Sequence, residues 1–291
     1  MGFLIITSLI WAFSFGLIKD GLDGIPSAIV TVSRLGIACI VFLPFLRPAR
    51  LPFRTVVNLL LTGAVQYGLM YLFYIEAFRY LKAYEIALFT VFTPFFVALV
   101  NDVSERRVNL VAAGSCLLAV IGGLIIRYDQ PTSTDMQTGF LLMQASNLCF
   151  AFGQIHYRRI MARLEVVKSD LQVFGLLYLG ATLTATLAAC RTDWSTVVFT
   201  TRQLLILAYL GAVAAGLGFF LWNAGARRVN PGTLAVFNNL KIPLGIIVSI
   251  MFFGENADWR GLLTGGSLML LALLLNERFK PRPPLSDDLA G

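Results

Sequence analysis

One lysine lies deep inside a strongly apolar segment, where a charged side chain is costly unless it is paired or faces a wet cavity. Residues 238–243 read NNLKIP, within an apolar run over 231–252. At 1.5 Å per helical residue, Lys241 stands roughly 15 Å from the start of this run. Pro243 cannot donate a backbone hydrogen bond and leaves a carbonyl free about one turn earlier. A cation beside Asn238, Asn239 and such a carbonyl suits a carboxylate or phosphate ligand; a structural ion pair is the alternative.

Few other ionisable side chains interrupt the apolar runs. Glu85, near the start of one run, could bind and release a proton, or could pair with neighbouring basic residues. Glu76 precedes Arg79 by three residues, which favours an ion pair on one helix face. Arg34 is long enough to lock helices together, and we expect a structural role for it. We expect His156, the single histidine, at the end of its run in an interfacial role.

Aromatic residues form a second pattern. Tyr67, Tyr71 and Tyr74 are spaced by four and three residues, which places them on one stripe of a helix. Such a stripe is either internal packing or a surface that stacks on a flat or cationic ligand. The candidate binding or coupling residues are Lys241, Asn238, Asn239, Glu85, Tyr67, Tyr71, Tyr74, Trp11, Gln154, Trp222 and Asn223.

Several kinds of chemistry have no support in the sequence. It contains no Walker motif, HExxH or GxSxG, so nucleotide hydrolysis and the common hydrolase mechanisms are not expected. The four cysteines, Cys39, Cys116, Cys149 and Cys190, lie in apolar runs without a CxxC pair. We therefore expect no enzyme, no catalytic residue, no metal site and no cofactor.

Composition identifies the elements that carry these residues. Of 291 residues, 57% are hydrophobic and 13% are charged, whereas soluble domains are about 45–50% apolar and about 25% charged. A membrane-spanning helix needs about 20 apolar residues. We predict an all-α membrane protein with ten transmembrane helices, at residues 3–18, 26–46, 57–78, 83–100, 109–126, 138–157, 171–190, 203–226, 231–252 and 261–276.

Charge placement predicts the orientation. The net charge of +7 is spread over the connectors rather than gathered in one patch, which argues for a lipid bilayer and against nucleic acid as the partner. With the N-terminus inside, 14 Lys and Arg residues fall on the inner side and 7 on the outer side. We expect both termini to be cytoplasmic, in the cytoplasmic (inner) membrane. Residues 277–291, rich in proline and charge, are expected to form a disordered cytoplasmic tail.

The chain also repeats itself. Residues 63–89 align without a gap with residues 211–237, with eight identities that include Gly63 with Gly211 and Gly68 with Gly216. Pro94 and Pro243 follow in the same order. We predict two five-helix repeats, residues 1–126 and 138–276, joined by a linker at 127–137. Because each repeat has an odd number of spans, the second enters the membrane inverted.

These landmarks together resemble the drug/metabolite transporter superfamily, in particular its ten-helix EamA-like members. The residues that carry the resemblance are Trp11 to Phe15 with Lys19, Arg34, Pro94, Ser104 to Arg106, and Gly254 with Glu255. The resemblance implies a transporter of small metabolites with a central cavity. Lys241 is not part of the general family pattern.

We therefore predict a secondary active transporter that works by alternating access. Export of amino acids or related compounds is the first expectation. The alternative is import of a flat vitamin-like compound such as riboflavin, which the aromatic stripe and the buried cation suggest. A membrane scaffold and an intramembrane enzyme are lower alternatives. Expected partners are a small-molecule substrate and protons, and the protein is expected to be a monomer or homodimer.

Overall fold

The computed structural model describes residues 2–48, 51–105, 134–164, 169–195, 197–226 and 231–254, with scattered positions between 114 and 121 and between 260 and 278. For residues 231–240 it describes the backbone alone. The described residues form helices and connectors, without a strand among them. Most of the fifth and tenth predicted spans, the linker and the tail lie outside the described residues, so the count of ten helices stays a prediction.

Eight long helices are described, and each follows one of the apolar runs. They are α1 (Gly2–Gly21), α2 (Ser27–Phe45), α3 (Phe53–Ala77), α4 (Ala83–Ser104), α5 (Thr134–Ala162), α6 (Leu171–Ala189), α7 (Thr201–Ala226) and α8 (Pro231–Phe253). Six of them, α1 to α4 with α6 and α7, are long and apolar enough to cross a membrane. In α8 the apolar stretch Lys241–Phe253 is shorter.

Two of the helices change from α to π geometry at equivalent places. The π segments are Ala64–Leu69 in α3 and Leu210–Leu217 in α7. The shift of 148 residues that aligns the two halves of the sequence carries 64–69 onto 212–217, inside the second π segment. Because π-helix is rare and usually occurs as short bulges, two bulges at matched positions support an internal duplication.

Matched glycines make matched helix contacts. Gly63 of α3 packs against the backbone of Leu177 in α6, and a Cβ at this position would collide with that backbone. Gly211 of α7 packs in the same way against Ile37 and the Arg34 carbonyl in α2. Small residues allow such close approach of helices in a membrane. Both glycines therefore mark close helix contacts.

The two halves interlock rather than lie side by side. Helix α2 packs against α6, and α1 packs against α7 and α8. Helix α5 packs against α3 and α4, and the first turns of α4 pack against α8. Every residue from Ala83 to Phe92, at the start of α4, is buried. Helices from both halves therefore surround a common centre.

Candidate functional site

A cavity lies at the centre where these helices meet. Its space amounts to about 570 Å³, including the part that is open to solvent. The lining side chains come from seven helices of both halves, and among the described residues that line it none is acidic. They are Trp11, Ser14, Phe15, Arg34, Met70, Tyr71, Tyr74, Thr90, Thr93, Met143, Ser146, Asn147, Phe150, Phe219 and Lys241.

Lys241 reaches this cavity from the eleventh position of α8. Only 6% of the residue is exposed, and its Nζ lies 5.3 Å from the ring centroid of Trp11. A cation above an indole face is attracted by the ring quadrupole, which offsets part of the cost of burial. Lys241 and Trp11, both candidates from the sequence, are thus neighbours in the cavity wall. The side chains of Asn238 and Asn239 lie outside the described residues.

Arg34 is a second buried cation in the same cavity, and its exposed fraction is 1%. Its Nη2 donates a hydrogen bond of 3.2 Å to the Tyr71 hydroxyl, and its guanidinium carbon lies 4.5 Å from the centroid of the Tyr71 ring. Its Nε and Nη1 are buried and have no hydrogen-bond partner among the described residues. A buried charged donor without a hydrogen-bond partner lowers stability. Nε and Nη1 of Arg34 therefore indicate a site for an anionic ligand.

Three rings connect the two cations, and we call Trp11, Phe219 and Tyr71 the aromatic wall. The centroids of Trp11 and Phe219 are 4.9 Å apart, and those of Phe219 and Tyr71 are 5.9 Å apart. Lys241 lies over the ring at one end of the wall and Arg34 over the ring at the other end. The cavity therefore has an apolar side with a positive charge at each end.

Hydroxyl groups give the cavity acceptor sites. Ser14 donates its hydroxyl hydrogen to the Trp11 carbonyl at 2.8 Å, and Thr90 donates to the Ala87 carbonyl at 2.7 Å. Each oxygen then has lone pairs left to accept from a ligand.

A hydrogen-bonded pair of side chains joins α4 to α5 beside these hydroxyls. Thr93 donates to Oδ1 of Asn147 at 3.1 Å, and the Asn147 amide donates to the Phe89 carbonyl at 2.9 Å. These bonds fix the amide of Asn147 in one orientation at the cavity surface.

The three tyrosines of α3 differ in their contact with the cavity. Tyr71 and Tyr74 line the cavity, whereas Tyr67 lies outside its lining, stacked on Tyr178 at 5.4 Å between centroids. Tyr67 and Tyr71 nevertheless both contact the ring of Phe219, with centroid distances of 4.8 and 5.9 Å. Both tyrosines therefore face α7, and only Tyr71 and Tyr74 reach the cavity.

The remaining sequence candidates lie around the cavity rather than in its lining. Asn223 donates to the Tyr67 hydroxyl at 2.8 Å and so joins α7 to α3. Trp222 is fully buried with its ring 5.2 Å from that of Trp11, and Gln154 is buried in α5. Glu85 accepts a hydrogen bond of 2.8 Å from the backbone N–H of Lys82 and so caps the start of α4.

Two expectations about charged residues outside the cavity can be compared with the structure. The Glu76–Arg79 ion pair is confirmed, with an N–O distance of 2.6 Å, and Glu76 also accepts from Ser27 at 2.5 Å. His156 lies 2.7 Å from the Thr62 hydroxyl, away from the cavity lining. Arg34, expected to join helices, contacts Tyr71 of α3 and also lines the cavity. The sequence signal for its place in the lining is the lack of an acidic residue three or four positions away on its helix.

The family model of the EamA-like transporter family matches residues 1–128 and 137–278. The chain belongs to the EamA-like transporter family. It is therefore a multi-pass membrane transporter, and its family and relatives are transporters rather than enzymes. The two matched segments lie close to the two predicted halves.

Close relatives share almost the whole length of this EamA-like chain. It is 40% identical over 297 residues to the biotin transporter of Salmonella typhimurium, covering 99% of this chain and 97% of the relative. The biotin transporter of Escherichia coli K12 is 40% identical over 292 residues with the same coverage. A probable biotin transporter of Pseudomonas aeruginosa is 38% identical over 286 residues, covering 95% and 97%.

The fold also matches a solved protein structure. A crystal structure with 17% sequence identity superposes with a TM-score of 0.65, covering 96% of this chain and 99% of the other. This match concerns the fold alone.

Proposed function

We propose that this protein is a secondary active transporter that takes up biotin across the cytoplasmic membrane. The observation that carries the proposal is a central cavity with two buried cations and no acidic side chain among its described lining residues. The biotin transporters to which the chain is 40% identical support the same cargo. Biotin is a vitamin consumed inside the cell, which sets the proposed direction.

The charge of the cavity suits biotin. Its carboxyl group is ionised at neutral pH, since alkyl carboxylic acids such as glutamate have pKa values of about 4.3. The rest of the molecule is an uncharged bicyclic ring on an alkyl chain, which can bury its apolar surface against the aromatic wall. A bound carboxylate would offset the cost of burying the Arg34 guanidinium, whose Nε and Nη1 have no hydrogen-bond partner among the described residues.

An amino acid is less well matched to this site. Its ammonium group needs an anionic or strongly accepting partner, and Lys241 and Arg34 would repel it in a low-dielectric cavity. The first expectation from the sequence, export of amino acids, is therefore less well supported than the alternative of a vitamin. Riboflavin, the vitamin used as the example, has no carboxylate to offer to the Arg34 guanidinium.

The transport cycle we propose is alternating access by two inverted repeats. Matched π segments in α3 and α7, matched glycine contacts and helix pairing across the halves support it. Tyr67 and Tyr178 form a buried, stacked pair outside the cavity lining. This pair would have to separate if the substrate leaves on its side of the cavity.

Flux into proteoliposomes tests the proposal. Purified protein is reconstituted, radiolabelled biotin is added outside, and the initial rate of uptake is measured with and without a pH gradient. We expect saturable uptake that excess unlabelled biotin abolishes and that excess leucine or riboflavin leaves unchanged. Saturable uptake of labelled leucine, with biotin uptake no higher than in empty liposomes, would overturn the proposal.

A further inference from the structure

We propose that the two cations bind opposite ends of the substrate: Arg34 binds the carboxylate, and Lys241 with Ser14 and Thr90 binds the cyclic urea. This inference rests on the proposed transport of biotin and assigns an orientation to the molecule in the cavity. It makes Arg34 and Lys241 determinants of specificity for different groups of the same substrate.

The geometry of Arg34 favours the carboxylate. Tyr71 accepts one hydrogen from Nη2, and Nη2 carries a second one. Nε and Nη1 have no partner among the described residues, so one edge of the guanidinium can still donate two parallel hydrogen bonds. A carboxylate accepts such a fork with both oxygens, whereas a urea carbonyl offers a single oxygen. Tyr71 holds the guanidinium plane in place through its ring and its hydroxyl.

The surroundings of Lys241 favour the urea. A cyclic urea has one carbonyl acceptor and two N–H donors, so its site needs a donor flanked by acceptors. Lys241 supplies the donor. Ser14 on α1 and Thr90 on α4 stand on elements that pack against α8, and both have already donated their hydroxyl hydrogens to backbone carbonyls. Their oxygens can therefore accept from the urea N–H groups.

The aromatic wall separates the two ends. Phe219 contacts both Trp11 and Tyr71. Lys241 lies over the first ring of the wall and Arg34 over the third. The urea and the carboxylate of biotin are likewise at opposite ends of the molecule, joined by a saturated ring and an alkyl chain. The apolar middle of the substrate then lies against the apolar middle of the wall.

Ligand analogues distinguish the two ends. Biotinamide lacks the charged carboxylate, and 2-iminobiotin replaces the urea by a cyclic guanidine that is protonated at neutral pH. Dissociation constants for biotin and both analogues are measured by calorimetry on purified wild-type protein, Arg34→Gln and Lys241→Met. Within each variant, the ratio of two dissociation constants does not depend on the fraction of active protein.

We expect wild-type protein to bind biotin about 10- to 100-fold more tightly than biotinamide, since charge-assisted pairs contribute that much. In Arg34→Gln this ratio falls to about 1–2, while the preference over 2-iminobiotin persists. In Lys241→Met the preference over 2-iminobiotin shrinks at least about tenfold, because the repelling charge is gone. Arg34→Lys, which keeps the charge without the fork, gives an intermediate biotinamide ratio and replaces Arg34→Gln if that variant does not fold.

Three outcomes would overturn the inference. The first is the reverse pattern, in which Arg34→Gln loses only the preference for biotin over 2-iminobiotin. The second is an equal change of the biotinamide ratio and the 2-iminobiotin ratio in both variants. The third is a variant in which neither ratio changes. Arg202→Gln, at an exposed ion pair with Asp20, is the control that retains both preferences. If wild-type protein binds no biotin, the proposed function itself fails. If it binds biotin but the two variants do not change the two ratios differently, only the proposed orientation fails.

Discussion

The guanidinium of Arg34 and the ring of Tyr71 form a single unit in the cavity wall, with the guanidinium carbon 4.5 Å from the ring centroid and Nη2 donating to the hydroxyl at 3.2 Å. The tyrosine thereby supports the cation in two ways at once. One contact orients the charge and the other satisfies one of its donors. Substitutions of Tyr71 can separate the effect of the ring contact on substrate binding from the effect of the hydrogen bond.

Replacing Tyr71 tests this unit. Tyr71→Phe keeps the ring and removes the acceptor, so we expect biotin to bind about 3- to 10-fold more weakly. Tyr71→Leu removes the ring as well, and a further loss of about 2- to 5-fold is expected from the missing cation–π contact. Calorimetry on the purified variants measures both steps. Equal affinities in wild-type protein and Tyr71→Leu would contradict the role of Tyr71.

Glycine contacts between helices give a prediction about stability. Gly63→Ala places a Cβ against the backbone of Leu177 and should lower the midpoint of thermal unfolding in detergent by several degrees or prevent folding. Gly36, within α2, has open space where its Cβ would be. Gly36→Ala is the matched control and should unfold at the same or a slightly higher temperature, because alanine is the better helix former. Equal midpoints for the two variants would show that the close contact does not exist.

Tyr178 should affect stability without affecting the choice of substrate. Its hydroxyl donates to the Ala215 carbonyl at 2.6 Å, within the π segment of α7. Tyr178→Phe leaves this buried carbonyl without that donor, and we expect a loss of about 1–2 kcal/mol in the free energy of unfolding. The ratio of dissociation constants for biotin and biotinamide should stay at its wild-type value. A changed ratio would place Tyr178 in contact with the substrate.

Glu85 is predicted to act as a helix cap rather than as a proton carrier. In Glu85→Gln the side-chain carbonyl can still accept from the Lys82 N–H. We therefore expect biotin uptake by proteoliposomes to keep both its rate and its response to a pH gradient. Glu85→Ala, which cannot cap, should unfold at a lower temperature. Loss of the pH response in Glu85→Gln, with unfolding unchanged, would instead assign proton coupling to this carboxylate.

Part of the site could be predicted from the sequence because a charged side chain inside a membrane span is tolerated in few environments, chiefly a wet cavity or an ion pair. Lys241 stands near the middle of an apolar run, and the structure places it in the cavity. Trp11, Tyr71 and Tyr74 likewise line it. The matched glycines were visible as a repeat at a shift of 148 residues, since close helix contacts tolerate few side chains.

Other features depended on geometry that the sequence pattern does not contain. Tyr67 lies outside the cavity lining although Tyr67 and Tyr71 both contact Phe219, because residue spacing on one helix does not show where the cavity ends. The sequence predicts that Arg34 joins helices, and its hydrogen bond to Tyr71 links α2 to α3. Its place in the cavity lining becomes visible only after folding. The importance of the aromatic wall was similarly hidden, since Phe219 comes from the second half of the chain.

The most direct test of the account is the initial rate of labelled biotin uptake by proteoliposomes that contain wild-type protein, Lys241→Met or the surface control Arg202→Gln. The account predicts saturable uptake by wild-type protein and by Arg202→Gln, and uptake at least about tenfold slower at limiting biotin for Lys241→Met. Biotin uptake no faster than in empty liposomes, or the same uptake by Lys241→Met as by wild-type protein, would contradict it.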